Sequence, residues 1–170
     1  MKNQDLGVRG RILEAVQSLL AENSGLHFSL DLVAKKAEVS KGGLLYHFST
    51  KDALLSALIV DYIEQLDQRI EIARTGKNLS YHEAYIEVCM SADAIRASRV
   101  LIAVGAINEA LLMPLEVANK RWRNSLSASL SEKSKGLALS LLMDGYLLSA
   151  SNEISSISRA EMRRALSWIL

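Results

Sequence analysis

The chain has very few of the residues that mark secreted or membrane proteins. Among 170 residues there is one cysteine, Cys89, and one proline, Pro114. A lone cysteine excludes an intrachain disulfide framework and fits a reducing compartment. The longest apolar runs, such as VLIAVGAI, are shorter than the roughly 20 residues of a membrane span, and MKNQDLGVRGR lacks the apolar core of a signal peptide. We therefore expect a soluble, cytoplasmic protein.

Charge of one sign is also lacking. The formal net charge is +1, from 20 basic and 19 acidic side chains, and residues 1–55 carry seven basic and six acidic ones. A nucleic-acid-binding domain is usually more basic than this. Any binding to DNA would therefore depend on where individual charges lie.

Helical periodicity, by contrast, extends over nearly the whole chain, and no segment alternates as a β-strand does. Ser29 is expected to cap a short second helix and Ser40 a third. Ser49, with Asp52 three residues later, has the capping-box spacing that predicts a long fourth helix ending near Arg74. Further helices are predicted over residues 80–95, 97–112, 114–130, 133–151 and 158–169. The fold class is therefore all-α, with a three-helix N-terminal head (residues 1–50) and a larger helical body (residues 51–170).

The second and third helices have the spacing of a helix-turn-helix, because only three residues separate them. A steep crossing over so short a turn needs a small side chain at the contact, which Ala34 supplies. Val39 can fill the gap in the turn, while Leu44 and Phe48 at i and i+4 anchor the third helix inward. The residues left at its solvent edge are Lys41, Gly42, Gly43, Tyr46 and His47.

Two adjacent glycines inside a helix need a reason, since each costs roughly 1 kcal/mol relative to alanine. A recognition helix enters the major groove of DNA by its N-terminal residues, and glycine there lets the backbone approach closely. Lys41 and Lys51 place cations at two helix starts, where free N–H groups favour phosphates. The alternatives are a glycine loop and lysines that are merely solvated.

The segments RILEAVQSLLAE and LDLVAKKAEVSKGGLLYHFSTKDALL, within residues 8–55, resemble the tetracycline-repressor (TetR) family of bacterial transcription regulators. The resemblance implies an all-helical homodimer that binds an operator in double-stranded DNA with its head and a small inducer with its body. Most members repress a neighbouring gene, so it also implies a repressor. Two residues depart from the family pattern: Glu38 replaces a common glycine in the turn, and Leu45 replaces a tyrosine that touches DNA. The positions that match DNA contacts of the family are Ser29, Lys41, Gly42, Gly43, Tyr46, His47 and Lys51.

The body offers large apolar side chains and several acids as candidate inducer contacts. The candidates are Tyr62, Tyr85, Asp93, Glu109, Met113, Trp122 and Met143. Asp93, Glu109 and Asp144 each have apolar sequence neighbours, and an unpaired carboxylate in a core is costly. If one of them lines a cavity, we expect an apolar inducer that is also cationic. Core packing of the apolar residues and a surface position of the acids are the alternatives.

The last two helices are the predicted dimer surface. The segment GLALSLLMDGYLLSA is apolar on more than one face, and a stripe at i, i+3, i+4 and i+7 follows it in Met162, Ala165, Leu166 and Ile169. A large exposed apolar patch is unusual in a monomer, so we expect these helices to pack against their symmetry mates as a four-helix bundle.

Other functions have little support in the sequence. No nucleophile elbow, phosphate loop or zinc motif is present, so we expect neither an enzyme nor a bound cofactor. The segment SYHEAYIEVCM holds His82, Glu83, Glu87 and Cys89, but no second histidine is near, and we expect no metal site. The remaining rival is a helical ligand-binding or adaptor protein whose helix-turn-helix does not read DNA.

Overall fold

The computed structural model describes residues 7–22, 28–151 and 157–167, and within these ranges every regular element is a helix. The all-α fold class is therefore confirmed. A short 3₁₀ helix, Glu109–Leu112, precedes α7. The α-helices are α1 Val8–Glu22, α2 Leu30–Lys36, α3 Lys41–His47, α4 Lys51–Lys77, α5 Tyr81–Cys89, α6 Ala92–Ile107, α7 Met113–Ser129, α8 Lys133–Ser151 and α9 Arg159–Leu166.

The chain forms two compact units. The first, which we call the head unit, comprises Met1–Asp61 and Val100–Pro114; the second, the body unit, comprises Tyr62–Arg99 and Leu115–Leu170. Since α4 and α6 each continue from one unit into the other, neither unit is a simple stretch of sequence. The predicted boundary at residue 50, between a helix-turn-helix domain and the rest of the chain, stays a prediction.

Each unit has its own apolar core. In the head unit α1, α2 and α3 contact one another, as expected for a three-helix head. Its fully buried side chains include Ile12, Val16, Val33, Leu44, Leu54, Leu55 and Ile59. The body unit is built around a second cluster, whose fully buried members include Ala84, Cys89, Leu126, Leu139 and Met143.

Both ends of α4 differ from the prediction. The cap is Thr50 and not Ser49, because the Ala53 N–H donates to the Thr50 hydroxyl at 3.0 Å. The helix also continues three residues beyond Arg74. It ends at Lys77, because the next residue, Asn78, has a left-handed φ of 51°, and the Leu79 N–H donates to the Arg74 carbonyl at 3.0 Å.

The break between α5 and α6 lies at residues 90–91 and not at residue 96. The Ser91 hydroxyl accepts a hydrogen bond from the Ala94 N–H at 3.2 Å and so caps α6. Asp93 then falls in the first turn of that helix, where the helix dipole stabilises an acid. The apolar periodicity continues across residues 90–91, so the sequence pattern does not show this break. The Ser91 cap determines where α6 begins.

The predicted stripe on the last helix is not a free surface. Met162 and Leu166 are buried in the body core of their own chain, and Ile169 lies outside the described residues. None of the helices described combines the length and apolar character that crossing a membrane requires.

Candidate nucleic-acid interface

Two serines begin the helices of the helix-turn-helix. The Ser29 hydroxyl accepts from the Leu32 N–H at 3.2 Å and starts α2. The Ser40 hydroxyl accepts from the Gly43 N–H at 3.0 Å and starts α3. Both predicted caps are confirmed, and each satisfies a helix N–H that would otherwise lack a partner.

The turn between these helices is closed by their backbones and by small residues. Ala34 is buried at the crossing, and its carbonyl accepts the Val39 N–H at 3.0 Å. Leu44 and Phe48 are buried on the inner side of α3, as predicted. Glu38 adopts a left-handed φ of 54°, a conformation that costs a non-glycine residue about 1 kcal/mol. The predicted departure at Glu38 is thus a real strain, which the surrounding packing offsets.

The backbone at Gly42 is bare. A Cβ added there would meet nothing within 4 Å, whereas one added at Gly43 would lie 3.2 Å from the Ser40 hydroxyl that caps the helix. Neither glycine has the positive φ that would demand glycine. No contact within the described fold therefore requires glycine at position 42, and the space in front of the start of α3 is open.

Two aromatic rings follow on the exposed side of α3. Tyr46 is 87% exposed, and its ring lies edge-on to that of His47 with centroids 5.3 Å apart. Leu45 beside them is partly exposed as well. The solvent-exposed Tyr46 side chain is accessible to a partner, and its hydroxyl can donate a hydrogen bond to a phosphate oxygen.

The two lysines are engaged within the head unit, which the sequence did not indicate. Lys41 Nζ lies 2.9 Å from Asp31 Oδ1, with both side chains largely exposed. Lys51 Nζ donates to the Phe28 carbonyl at 3.3 Å and lies 4.1 Å from the centre of the Phe28 ring. An exposed ion pair contributes at most about 1 kcal/mol, so a phosphate can replace Asp31. Lys51 has a structural role besides any external one.

The structure brings four of the candidate inducer contacts into one place in the body unit. Tyr85, Trp122 and Met143 are buried in the body core, and Tyr62 is partly buried against that core. Burial, reinforced by Cys89, raises the pKa of both tyrosines. It also raises the pKa of the Cys89 thiol to about 12, which makes this cysteine unreactive.

The other candidates do not join this cluster. Asp93, Glu109 and Met113 are exposed, and Glu109 and Met113 belong to the head unit. Asp93 Oδ2 lies 3.3 Å from Arg69 Nη1, and its Oδ1 lies 3.8 Å from Arg96 Nη1. For these two acids the alternative of a surface position holds, because apolar sequence neighbours on a helix point in different directions.

Asp144 is exposed too, on the outer side of α8. The dense packing beneath it raises the pKa of its carboxyl, and Arg123 opposes that shift. None of the three acids singled out in the sequence is therefore buried, and the reason for expecting a cationic inducer is removed.

One polar group of the body unit escaped the sequence analysis. Asp67 on α4 accepts a hydrogen bond from the Trp122 indole N–H at 2.7 Å and another from Arg121 at 2.5 Å. These bonds tie α4 to α7 and occupy the only polar atom of the Trp122 side chain. Nothing in the segment YIEQLDQR distinguishes Asp67 from an ordinary surface acid.

His82 also has a local role. Its Nδ1 lies 2.9 Å from the Ser129 hydroxyl and 3.1 Å from that of Ser80, so the ring links the start of α5 to the end of α7. Over the ranges of the chain that are described, no three histidine, cysteine or acidic side chains lie close enough together to hold a metal ion.

Two family models match the chain. The model of bacterial regulatory proteins of the tetR family matches residues 12–58. The model of the tetracyclin repressor-like C-terminal domain matches residues 80–169. Together they include the helix-turn-helix and most of the body.

Individual proteins agree with these matches. The HTH-type transcriptional regulator UidR of Escherichia coli (strain K12) is 32% identical over 74 residues, which are 44% of this chain and 35% of UidR. The chain thus aligns with about a third of that relative. A transcriptional regulator from Rhodococcus sp. Rha1 shares the fold, with a TM-score of 0.78 at 24% identity over 95% of this chain and 92% of that one. The multidrug binding protein EbrR, solved with imidazole, has a TM-score of 0.68 at 19% identity over 99% and 93%.

Proposed function

Because the chain belongs to the TetR family of bacterial regulatory proteins, we propose that it is a transcriptional repressor that binds operator DNA as a homodimer and leaves it when a small molecule binds the body. The observation that carries this proposal is the bare backbone at Gly42, at the start of α3. The proposed DNA contacts are Ser29, Lys41, Gly42, Gly43, Tyr46, His47 and Lys51.

Each contact has a physical role at the groove. The start of α3 offers its free N–H groups to a phosphate, and Gly42 lets the backbone come near. Lys41 exchanges Asp31 for a phosphate oxygen, since their exposed pair is weak. Tyr46 and His47 donate to the sugar-phosphate backbone and fix the orientation of the head.

Salt dependence tests the DNA proposal. We expect the affinity for a duplex selected from a random pool to fall about a hundredfold or more between 50 and 200 mM salt, because two lysines on each of two heads neutralise at least four phosphates. Fluorescence anisotropy measures this. Lys41→Gln should lower the salt slope by about two, one phosphate for each head.

The matched control is Lys120→Gln. Lys120 is an exposed lysine on α7 that also pairs with an acid, Glu116 at 3.3 Å, so the same charge is removed outside the proposed interface. An unchanged slope in Lys41→Gln, or an equal change in Lys120→Gln, contradicts the assignment of Lys41. An adaptor protein would show no duplex affinity at any salt concentration.

For the inducer we propose a small apolar molecule with one polar group, bound where Tyr62 packs against Tyr85, Trp122 and Met143. Two arguments support this place: the side chains are large and apolar, and the Tyr62 phenol can donate a hydrogen bond to the polar group. The Trp122 indole N–H is occupied by Asp67 and the Tyr85 phenol by Cys89. A compound that releases the duplex from the wild type, but needs a higher concentration to release it from Tyr62→Phe, would identify the site.

The dimer surface that we propose is the outer face of α8. Leu137, Leu141 and Leu148 are exposed there, and their spacing of four and seven residues places them along one side of the helix. A Cβ added to Gly145 between them would meet nothing within 4 Å, which leaves room for a second helix. Asp144 lies on the same side, at i+7 from Leu137.

We expect Leu141→Glu to dissociate the dimer, because the charge would be buried without a partner in the interface. Sedimentation velocity should show monomer at concentrations where the wild type is dimeric. Ile72→Glu on α4 is the control, since Ile72 is 61% exposed and Leu141 62%. A dimer that survives Leu141→Glu but not Ile72→Glu places the interface elsewhere.

A further inference from the structure

A second site is formed by a groove of about 860 Å³ between α5 and α9. All of its residues belong to the body unit, and none is among the proposed contacts with DNA or inducer. Its floor is apolar: Met90 and Leu166 are buried, and Leu79 and Ile86 are partly exposed above the body core. Its volume is in the range of small-molecule sites, about 300–1,000 Å³.

The acids at the rim of this groove are already occupied. Glu83 accepts hydrogen bonds from the Ser80 N–H at 2.8 Å and the Ser80 hydroxyl at 2.6 Å, and these bonds lower the pKa of its carboxyl. Glu87 pairs with Lys77. Neither carboxylate therefore has to be met by a ligand or by an arginine of α9.

The cations at the opposite rim are not balanced in this way. Arg159 donates to the Met90 carbonyl at 2.8 Å, a neutral partner, and no acid within the described ranges pairs with it. Arg163 has no acidic partner among the residues that the structure describes. A guanidinium carries five N–H donors in a planar fork that matches a carboxylate. The groove thus combines an apolar floor with two arginines that have no acidic partner in the described part of the chain.

We propose that this groove binds an amphiphilic anion, an alkyl chain that ends in a carboxylate. The carboxylate pairs with the Arg163 fork, beside Arg159, and the chain covers Leu79, Ile86, Met90 and Leu166. Charge complementarity favours this occupant, because Glu83 and Glu87 already have partners, whereas the two arginines have no acidic partner among the described residues.

Isothermal titration of the full-length protein with decanoate tests the proposal. We expect saturable binding of one decanoate per chain and at least a tenfold weaker Kd in Arg163→Gln. Arg164→Gln is the matched control: it removes the same charge from the next residue of α9, which is exposed and does not line the groove, and its Kd should stay within twofold. Decanol, which has the same tail without charge, should bind both variants alike.

Three results would overturn the proposal: binding that does not saturate, equal losses in Arg163→Gln and Arg164→Gln, or a change of oligomeric state in Arg163→Gln at unchanged decanoate affinity. The last would mean that a second copy of the chain covers the groove. Circular dichroism and the melting temperature establish that each variant is folded. No DNA is present in the titration, so a failure here is independent of the proposed regulatory function.

Discussion

Gly42→Ala should make the free protein more stable and its complex with DNA weaker. A Cβ at this position meets nothing within 4 Å, so the folded chain accommodates alanine without movement. Alanine is favoured over glycine in a helix by up to about 1 kcal/mol. In the complex the same methyl group would stand between the start of α3 and the groove. We expect at least a tenfold loss of duplex affinity, about 1.4 kcal/mol, measured by fluorescence anisotropy beside a thermal melt.

The opposite signs of the two effects make this substitution informative. If glycine were needed for folding, its replacement would lower the stability of the protein. If it were a surface residue without function, its replacement would leave DNA binding unchanged. Gly76→Ala is the control, since Gly76 also has open space around its missing Cβ but lies near the end of α4. If Gly42→Ala binds DNA as well as the wild type does, the backbone at α3 is not in close contact with the duplex.

The helix-turn-helix was predictable because its signals are local. Ser29 and Ser40 cap helices through hydrogen bonds to N–H groups three residues later, and such bonds depend on a few neighbouring residues only. Ala34, Leu44 and Phe48 follow from helical spacing in the same way. The TetR-family resemblance drawn from residues 8–55 is confirmed by the family model that matches residues 12–58.

The partners of charged side chains were not predictable. Asp67 meets Arg121 and Trp122 across more than fifty residues of sequence, and the pairing of Lys41 with Asp31 depends on how α2 and α3 cross. Sequence spacing specifies which face of a helix is polar but not which distant residue that face meets. The electrostatics of the site therefore became known only with the structure.

Only part of the apolar surface predicted for the last two helices is exposed in the structure. Met162 and Leu166 have the helical spacing of a buried face, and they are buried, but in the core of their own chain. Leu137, Leu141 and Leu148 on α8, which belong to the other predicted segment, are exposed. Helical periodicity indicates that one face of a helix is buried. It does not indicate whether that face is buried by the same chain or by a second copy.

Gly136→Ala should substantially lower the free energy of unfolding of the body unit. Gly136 is buried on α8 where that helix packs against α7, and a Cβ there would lie 2.5 Å from the Ser127 backbone nitrogen and 2.6 Å from its Cα. Backbone atoms cannot rotate away as a side chain can, so α7 and α8 must move apart. Overpacking of this kind costs about 1–3 kcal/mol and sometimes more.

A loss of about 3 kcal/mol corresponds to a melting temperature lower by roughly 6–12 °C in a chain of this length. Differential scanning calorimetry at fixed protein concentration measures it, and Gly76→Ala, which adds the same methyl group in open space, should melt at or above the wild-type temperature. The two glycines are then required for different reasons. Gly136 is required because a backbone of the same chain lies against it. Gly42 is required because the DNA lies against it, so its replacement by alanine is harmful only to the complex. A Gly136→Ala protein as stable as the wild type would show that α7 and α8 do not pack this closely.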